Sequence, residues 1–252
     1  MATVSENGSP DSFKQRVEKA IEALKEGEIV LLVKEAGDET NGSMIFPAEH
    51  VTPSKVNTLA EQARGLVCLS LDDQHADRLD LDTMVESGDS GPDTDFTVSI
   101  DARENTTTGI SAFDRSETIQ RAVDPSSGPE DFERPGHIFP LLAEPGGVLD
   151  RSGHSEAVQD LCDFAGLKGA GVFCKVMAPD GTIAGLSHLR ELADQGGYPL
   201  LGVQDLVRYC RSEKNLVENV ADAAIPTEFG TFQAIAYRST LRDREHVVLT
   251  YG

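Results

Sequence analysis

Tryptophan is absent from these 252 residues, cysteine occurs only four times, and basic residues are half as common as acidic ones. No apolar run approaches the roughly 20 residues that a membrane-spanning helix needs. The opening MATVSENGSPDS is polar and lacks the apolar centre of a signal peptide. Both absences predict a soluble, cytoplasmic protein without a membrane partner. Cys68, Cys162, Cys174 and Cys210 are scattered, with no CxxC pair, and read as reduced, buried thiols, not as zinc ligands or disulfides. The 22 Lys and Arg against 43 Asp and Glu leave a net charge of −21. A phosphate backbone would be repelled over most of such a surface, which excludes nucleic acid as a partner. The length suits one large domain, or one domain with an appendage.

What is there is a mixture of helical and strand patterns. Residues 1–11 read as disordered. Ser12–Glu26 carries Phe13, Val17, Ile21 and Leu24 at helical spacing. EIVLLV (Glu28–Val33) predicts a buried strand. Thr52 and Pro53 supply the cap and first position of a helix ending at Gly65. Further strands are predicted at Leu66–Leu71, Phe96–Ile100, Gly171–Met177 and Leu200–Val203, with helices near 187–195 and 204–213. There is no strict βαβ rhythm, so the fold class is α+β. The Gly, Pro and Asp-rich Glu86–Asp95 reads as a surface loop, with Glu86 and Asp89 at its start, and Asp72-Asp73-Gln74-His75 as a solvated turn. Composition breaks again near Ser212–Val220. Beyond it, TFQAIAY and EHVVLTYG predict two strands, too little chain to bury a core alone.

Arg134–Glu156 (RPGHIFPLLAEPGGVLDRSGHSE) has the outline of a ligand site. Ser155 or its neighbour would cap a helix over 155–165, whose first turn offers unpaired N–H groups and the positive end of a dipole. Arg151 adds a fork of donors suited to phosphate, and Gly153 allows close backbone approach. His154 stands where it could reach a metal or a hydroxyl, and His137 follows a Pro-Gly turn that would fix its imidazole. His50 and His75 read as solvated, and His188 and His246 lack partners at metal-ligand spacing.

MIFPAE (44–49), FTVSID (96–101), TTTGISAFDR (106–115), RPGHIFPL (134–141), GGVLDRSGHSEA (146–157) and AGVFCKV (170–176) together resemble the 3,4-dihydroxy-2-butanone 4-phosphate synthase family. The likeness covers about residues 12–212. It implies an α+β sandwich of mixed sheet and helices and a homodimer whose sites draw on both chains. It also implies a place in the riboflavin pathway: conversion of ribulose 5-phosphate, a pentulose phosphate, with Mg2+ (or Mn2+), into the four-carbon ketone phosphate and formate. Residues 213–252 resemble the opening strands of a GTP cyclohydrolase II domain. That domain's zinc-binding cysteines and nucleotide-binding segments have no counterpart here, so no cyclohydrolase activity is expected of this segment.

By this resemblance Glu39 and His154 would ligate the metal. Arg151, Gly153, Ser155, Thr107, Thr108, Asp114 and Arg115 would hold the substrate and its phosphate. His137, Glu156 and Cys68 remain in pattern as catalytic candidates, with Ser155 replacing a usual Thr. Other positions depart. The family's acidic DRENEGD loop aligns with residues 37–43, so its Arg becomes Asp38, its second Glu Asn41 and its last Asp Ser43. A family Glu becomes Lys175. Asp38 and Lys175 reverse charge and would compensate if Lys175 paired with Asp38 or Glu39. Three functions therefore stand open: the family's lyase reaction, a paralogue performing enolisation, epimerisation or dehydration on a related sugar phosphate, and a non-catalytic scaffold. The retained metal pair counts against the scaffold.

Overall fold

A computed structural model describes residues 10–36, 39–85, 95–241 and 244–251. Residues 1–9, Asp38, Glu86 and Asp89 lie outside the described residues. Contacts divide the chain into a unit ending at Tyr209 and a second spanning Cys210–Gly252.

The first unit is built on one mixed eight-stranded sheet. Its strands are β1 (Val30–Ala36), β2 (Glu39–Pro47), β3 (Arg64–Leu71), β4 (Asp95–Phe96), β5 (Ile100–Ala102), β6 (Phe132–Leu142), β7 (Gly171–Val176) and β8 (Leu200–Gly202). The order is β4-β6-β3-β7-β2-β1-β8, with β5 paired to β6. β1 runs parallel to β8 and β3 to β6; the other pairs are antiparallel. Strand alternation sorts the side chains onto two faces. Leu31, Val33, Met44, Phe46, Val67, Leu69, Val172 and Cys174 form the main core with Val56, Leu59, Ile119 and Leu189. These last four come from α2 (Pro53–Thr58) and the π-turn after it, α4 (Ala112–Val123) and α6 (Leu186–Gly196). Each fully buried side chain of this size contributes roughly 1.5–3 kcal/mol. The opposite face receives α5 (His154–Phe164), because Gly171 leaves room for Val158, and α1 (Pro10–Lys25), which packs on α5. The α+β sandwich expected from the sequence is present. No helix among the described residues is long and apolar enough to cross a membrane.

Several local expectations hold. Thr52 caps α2, its hydroxyl accepting from the Lys55 N–H at 3.3 Å, with Pro53 in the first turn. Others need correction. The strand expected at Phe96–Ile100 is broken into β4 and β5. Pro135-Gly136 is not a turn; it lies inside the eleven-residue β6, where Gly136 lets the Ile100 backbone approach closely. Asp72 is not part of a solvated turn. It caps α3 (Asp73–Leu79), accepting from the His75 N–H at 2.8 Å and pairing with His75 Nδ1 at 2.7 Å.

In the second unit β9 (Val217–Thr227), β10 (Gly230–Ser239) and β11 (Glu245–Thr250) form an antiparallel sheet in the order β11-β10-β9. The two strands read from the sequence are β10 and β11; β9 is an addition. Phe229, Val247, Leu249 and Tyr251 are exposed on it.

Candidate functional site

The loop before α5 is pinned by residues of α5 itself. Asp160 accepts from the Val148 N–H at 2.7 Å, and Glu156, almost wholly buried, accepts from the Glu144 N–H at 3.2 Å. Glu156 also takes two donors from Arg151, Nε at 2.8 Å and Nη2 at 2.6 Å. Gly153 is required beneath this arrangement, since a Cβ there would meet the Glu156 carboxylate. The helix cap differs from expectation. Gly153 occupies the cap position with no side-chain bond, while Ser155 points to the sheet and shares a 2.8 Å hydrogen bond with Ser70. A hydroxyl one residue inside the helix cannot cap it, because its backbone is already helical.

Arg151 is likewise not a waiting fork. Besides Glu156 it donates to Asp95 at 2.9 Å and to the Leu142 carbonyl at 2.8 Å. Burial would lower the guanidinium pKa, but Glu156 and Asp95 outweigh it and raise it further, so its charge is permanent. Glu144 adds a longer contact at 3.6 Å, and a phosphate here would have to displace Asp95 and Glu144, the two exposed carboxylates of the three.

His154 is 7% exposed, and its Nε2 is buried with no hydrogen-bond partner. Burial first, then the charges of Lys175 and Lys34, pulls its pKa down to about 3, so the ring is neutral at pH 7. On β2, Gly42 faces α6, where a Cβ would strike Leu189. Alternation therefore turns Glu39, Asn41 and Ser43 toward the α5 face. Asn41 Oδ1 and Ser43 Oγ are also buried without partners. Ser43 stands opposite Lys175 and Asn41 opposite Lys34. Unpaired buried polar atoms cost roughly 1–3 kcal/mol each, so these three are free to take a ligand. A neutral imidazole with carboxylate, amide and hydroxyl oxygens fits one divalent ion. Among the described residues no group of three or more His, Cys, Asp or Glu is placed to hold a metal. Of the two partners considered for Lys175, Glu39 makes no ion pair with it and Asp38 lies outside the described residues; the described residues supply Lys175 with no ion-pair partner.

A second cluster forms around His137. Its Nδ1 lies 2.7 Å from Asp101, whose other oxygen accepts the His137 N–H at 2.9 Å. Asp101 is the functional candidate that sequence reasoning missed; its place in FTVSID was visible but its partner was not. Gly109, at φ +80°, packs against this pair where no Cβ would fit. Asp114 holds the loop in that shape, accepting from Thr107 N–H at 3.1 Å, Thr107 Oγ1 at 3.0 Å and Gly109 N–H at 3.1 Å. Asp114 thus holds the shape of the loop that packs against Asp101 and His137. Thr108 is exposed. Burial lowers the pKa of the neighbouring Arg115, whose Nε is buried without a partner. Cys68 lines an open apolar groove of about 340 Å³ with Leu66, Phe96, Phe173 and Lys175. Burial foremost pushes its thiol up to about 12, so it is no thiolate nucleophile at neutral pH.

Comparison with known proteins gives one answer. The sequence profile of 3,4-dihydroxy-2-butanone 4-phosphate synthase matches residues 18–209. The riboflavin biosynthesis protein RibBA of Bacillus subtilis is 45% identical over 236 residues, covering 94% of this chain and 59% of that protein. RibBA of Aquifex aeolicus is 45% identical over 245 residues, 96% of this chain and 60% of its own length. The chain thus spans about three-fifths of these relatives. Among solved structures, RibBX from A. baumannii, a two-domain synthase, superposes with a TM-score of 0.85 at 38% identity, over 94% of this chain and 70% of that one. A synthase in complex with two magnesium ions superposes at 0.73 with 31% identity, over 78% of this chain and 97% of that one. On the profile match and these identities, the chain belongs to the 3,4-dihydroxy-2-butanone 4-phosphate synthase family.

Proposed function

We propose that the chain catalyses its family's reaction, turning ribulose 5-phosphate into 3,4-dihydroxy-2-butanone 4-phosphate and formate. The observation that carries this reading is the buried, neutral, unpartnered Nε2 of His154 beside the unpartnered oxygens of Asn41 and Ser43. With Glu39 these residues would hold Mg2+, which supplies polarisation of the sugar's carbonyl and hydroxyl oxygens. Arg151 would bind the phosphate on exchanging Asp95 and Glu144 for it, with the first turn of α5 at its side. The reaction moves protons between carbons, expels one water, shifts the carbon skeleton, takes the water back and breaks one carbon–carbon bond to release formate, so atoms balance without an oxidant. Asp101 holds Nδ1 of His137 and leaves Nε2 to exchange protons with the substrate, a role worth on the order of 10²–10⁴-fold. Homodimerisation belongs to this reading, supported by the exposed Phe113. The likeness of residues 213–252 to the start of a cyclohydrolase domain assigns them no chemistry in this reading.

One observation favours a second reading. Asn41 and Ser43 cannot ionise and Lys175 carries the opposite charge to a carboxylate, so fewer bases surround the metal position than the family pattern supplies. A partial reaction, enolisation, epimerisation or dehydration of a sugar phosphate, would need fewer. Carbon-13 NMR of labelled ribulose 5-phosphate with protein and Mg2+ decides between them. Formate in step with the four-carbon ketone supports the lyase. New sugar signals without formate support the partial reaction, and bound but unchanged ribulose 5-phosphate sinks both.

A further inference from the structure

On the α5 face of the sheet the described residues of β1, β2 and β7 offer two ammonium groups and one carboxylate. Lys175 on β7 and Lys34 on β1 flank β2 in register with Ser43 and Asn41, and both turn toward His154. Their combined charge is felt at that imidazole. Of the β2 residues on this face, Glu39 alone ionises. A related synthase of known structure contains two magnesium ions. A second dication here would stand beside two ammonium groups with a single described carboxylate on β2 to offset them. At close range such like-charge contacts oppose the binding of a second ion.

We propose that the Lys175 ammonium takes the place of one of two cations, so that the chain binds a single divalent ion and Lys175 itself holds an anionic oxygen of the pentulose phosphate. The inference deepens the metal-bound sugar-phosphate reading above and rests on it. Lys175 is suited to the task. It is exposed, has no ion-pair partner among the described residues, and lines the groove shared with Cys68 and Phe173. It therefore stands where that groove meets the unpartnered atoms of Ser43 and His154. Lys34 is already engaged in an interaction of its own. An ammonium is a compact point charge with rotatable donors, able to meet an alkoxide or enolate oxygen without the ordered waters that Mg2+ keeps.

The test counts bound Mn2+ by electron paramagnetic resonance on the full chain, with and without ribulose 5-phosphate, for the native protein, K175E and K175Q. Calorimetry with ribulose 5-phosphate accompanies it. One Mn2+ per native chain is expected. K175E should gain a second ion or bind the first at least about ten-fold more tightly, because a repulsion becomes an attraction. K175Q should keep one ion and lose at least about ten-fold in ribulose 5-phosphate affinity, a lost charge-assisted contact. Two ions on the native chain, unchanged metal binding in K175E, or unchanged sugar-phosphate affinity in K175Q overturns the proposal. Should K175E not fold, K175Q and the native stoichiometry decide. No Mn2+ and no ribulose 5-phosphate on the native chain is a different result, which defeats the site reading itself.

Discussion

Single carboxylates do more here as organisers than as reagents. Burial by itself would raise the pKa of Asp114, but hydrogen bonds from Thr107, Ser111 and Gly109 outweigh it and hold the group below its usual range. A depressed folded pKa adds stability above the unfolded value near 3.9, and that stability disappears as pH falls through the folded value. Asp114→Asn should therefore lower the melting temperature at pH 7 and flatten its decline on acidification, as followed by circular dichroism melts across pH 2–6. A variant whose acid profile parallels the native one would show that the carboxylate is not the acid-labile element. Since Asp114 shapes the loop against Asp101 and His137, the substitution should also slow turnover. Glu156 plays the corresponding part for Arg151, which explains why a guanidinium read as a phosphate fork is found fully engaged.

Among the elements, α5 decides the most. Its first turn carries His154, Ser155 and Glu156, its body pins the preceding loop through Asp160, and its seating depends on a missing side chain at Gly171. A Cβ there would overlap Val158, which is fully buried on α5. Gly171→Ala is expected to destabilise the fold by about 1–3 kcal/mol, an overpacking cost, measurable by chemical denaturation. Because the strain pushes α5 off the sheet, Mn2+ affinity should fall as well. Destabilisation without loss of metal affinity would mean that the site does not depend on this contact.

For the whole molecule, the excess of acidic groups is the dominant long-range term. A charge of −21 on 252 residues repels itself, and added salt screens that repulsion over a Debye length of about 10 Å at 0.1 M. The melting temperature should rise between low salt and about 0.5 M sodium chloride, where screening lengths shrink to a few ångströms. Scanning calorimetry would show it; a flat or falling curve would mean that the negative charges are paired locally. The Arg16 bond to fully buried Asp205, 2.7 Å, is one such local pairing, but isolated pairs cannot neutralise a twofold excess of acids.

Patterns that act over a few residues were legible in the chain itself. Thr52-Pro53 starts a helix, alternating apolar residues make β3 and β7, and the ordered motifs from MIFPAE to AGVFCKV identify the family, because each depends on local backbone preference or on residue identity alone. What a side chain touches was not legible. Ser155, read with its neighbour as a cap, became a tie to Ser70, Pro135-Gly136 read as a turn and became part of a strand, and Lys175, read as pairing with Asp38 or Glu39, has no ion-pair partner among the described residues. Asp101 joined His137 across 36 residues of sequence. Those outcomes depend on which strands become neighbours and which face each residue turns to, a property of the sheet's order and register. Sequence determined the elements and the residue types available for chemistry; only the packing of α5 on β2, β3 and β7 decided which of them face one another with atoms left unsatisfied.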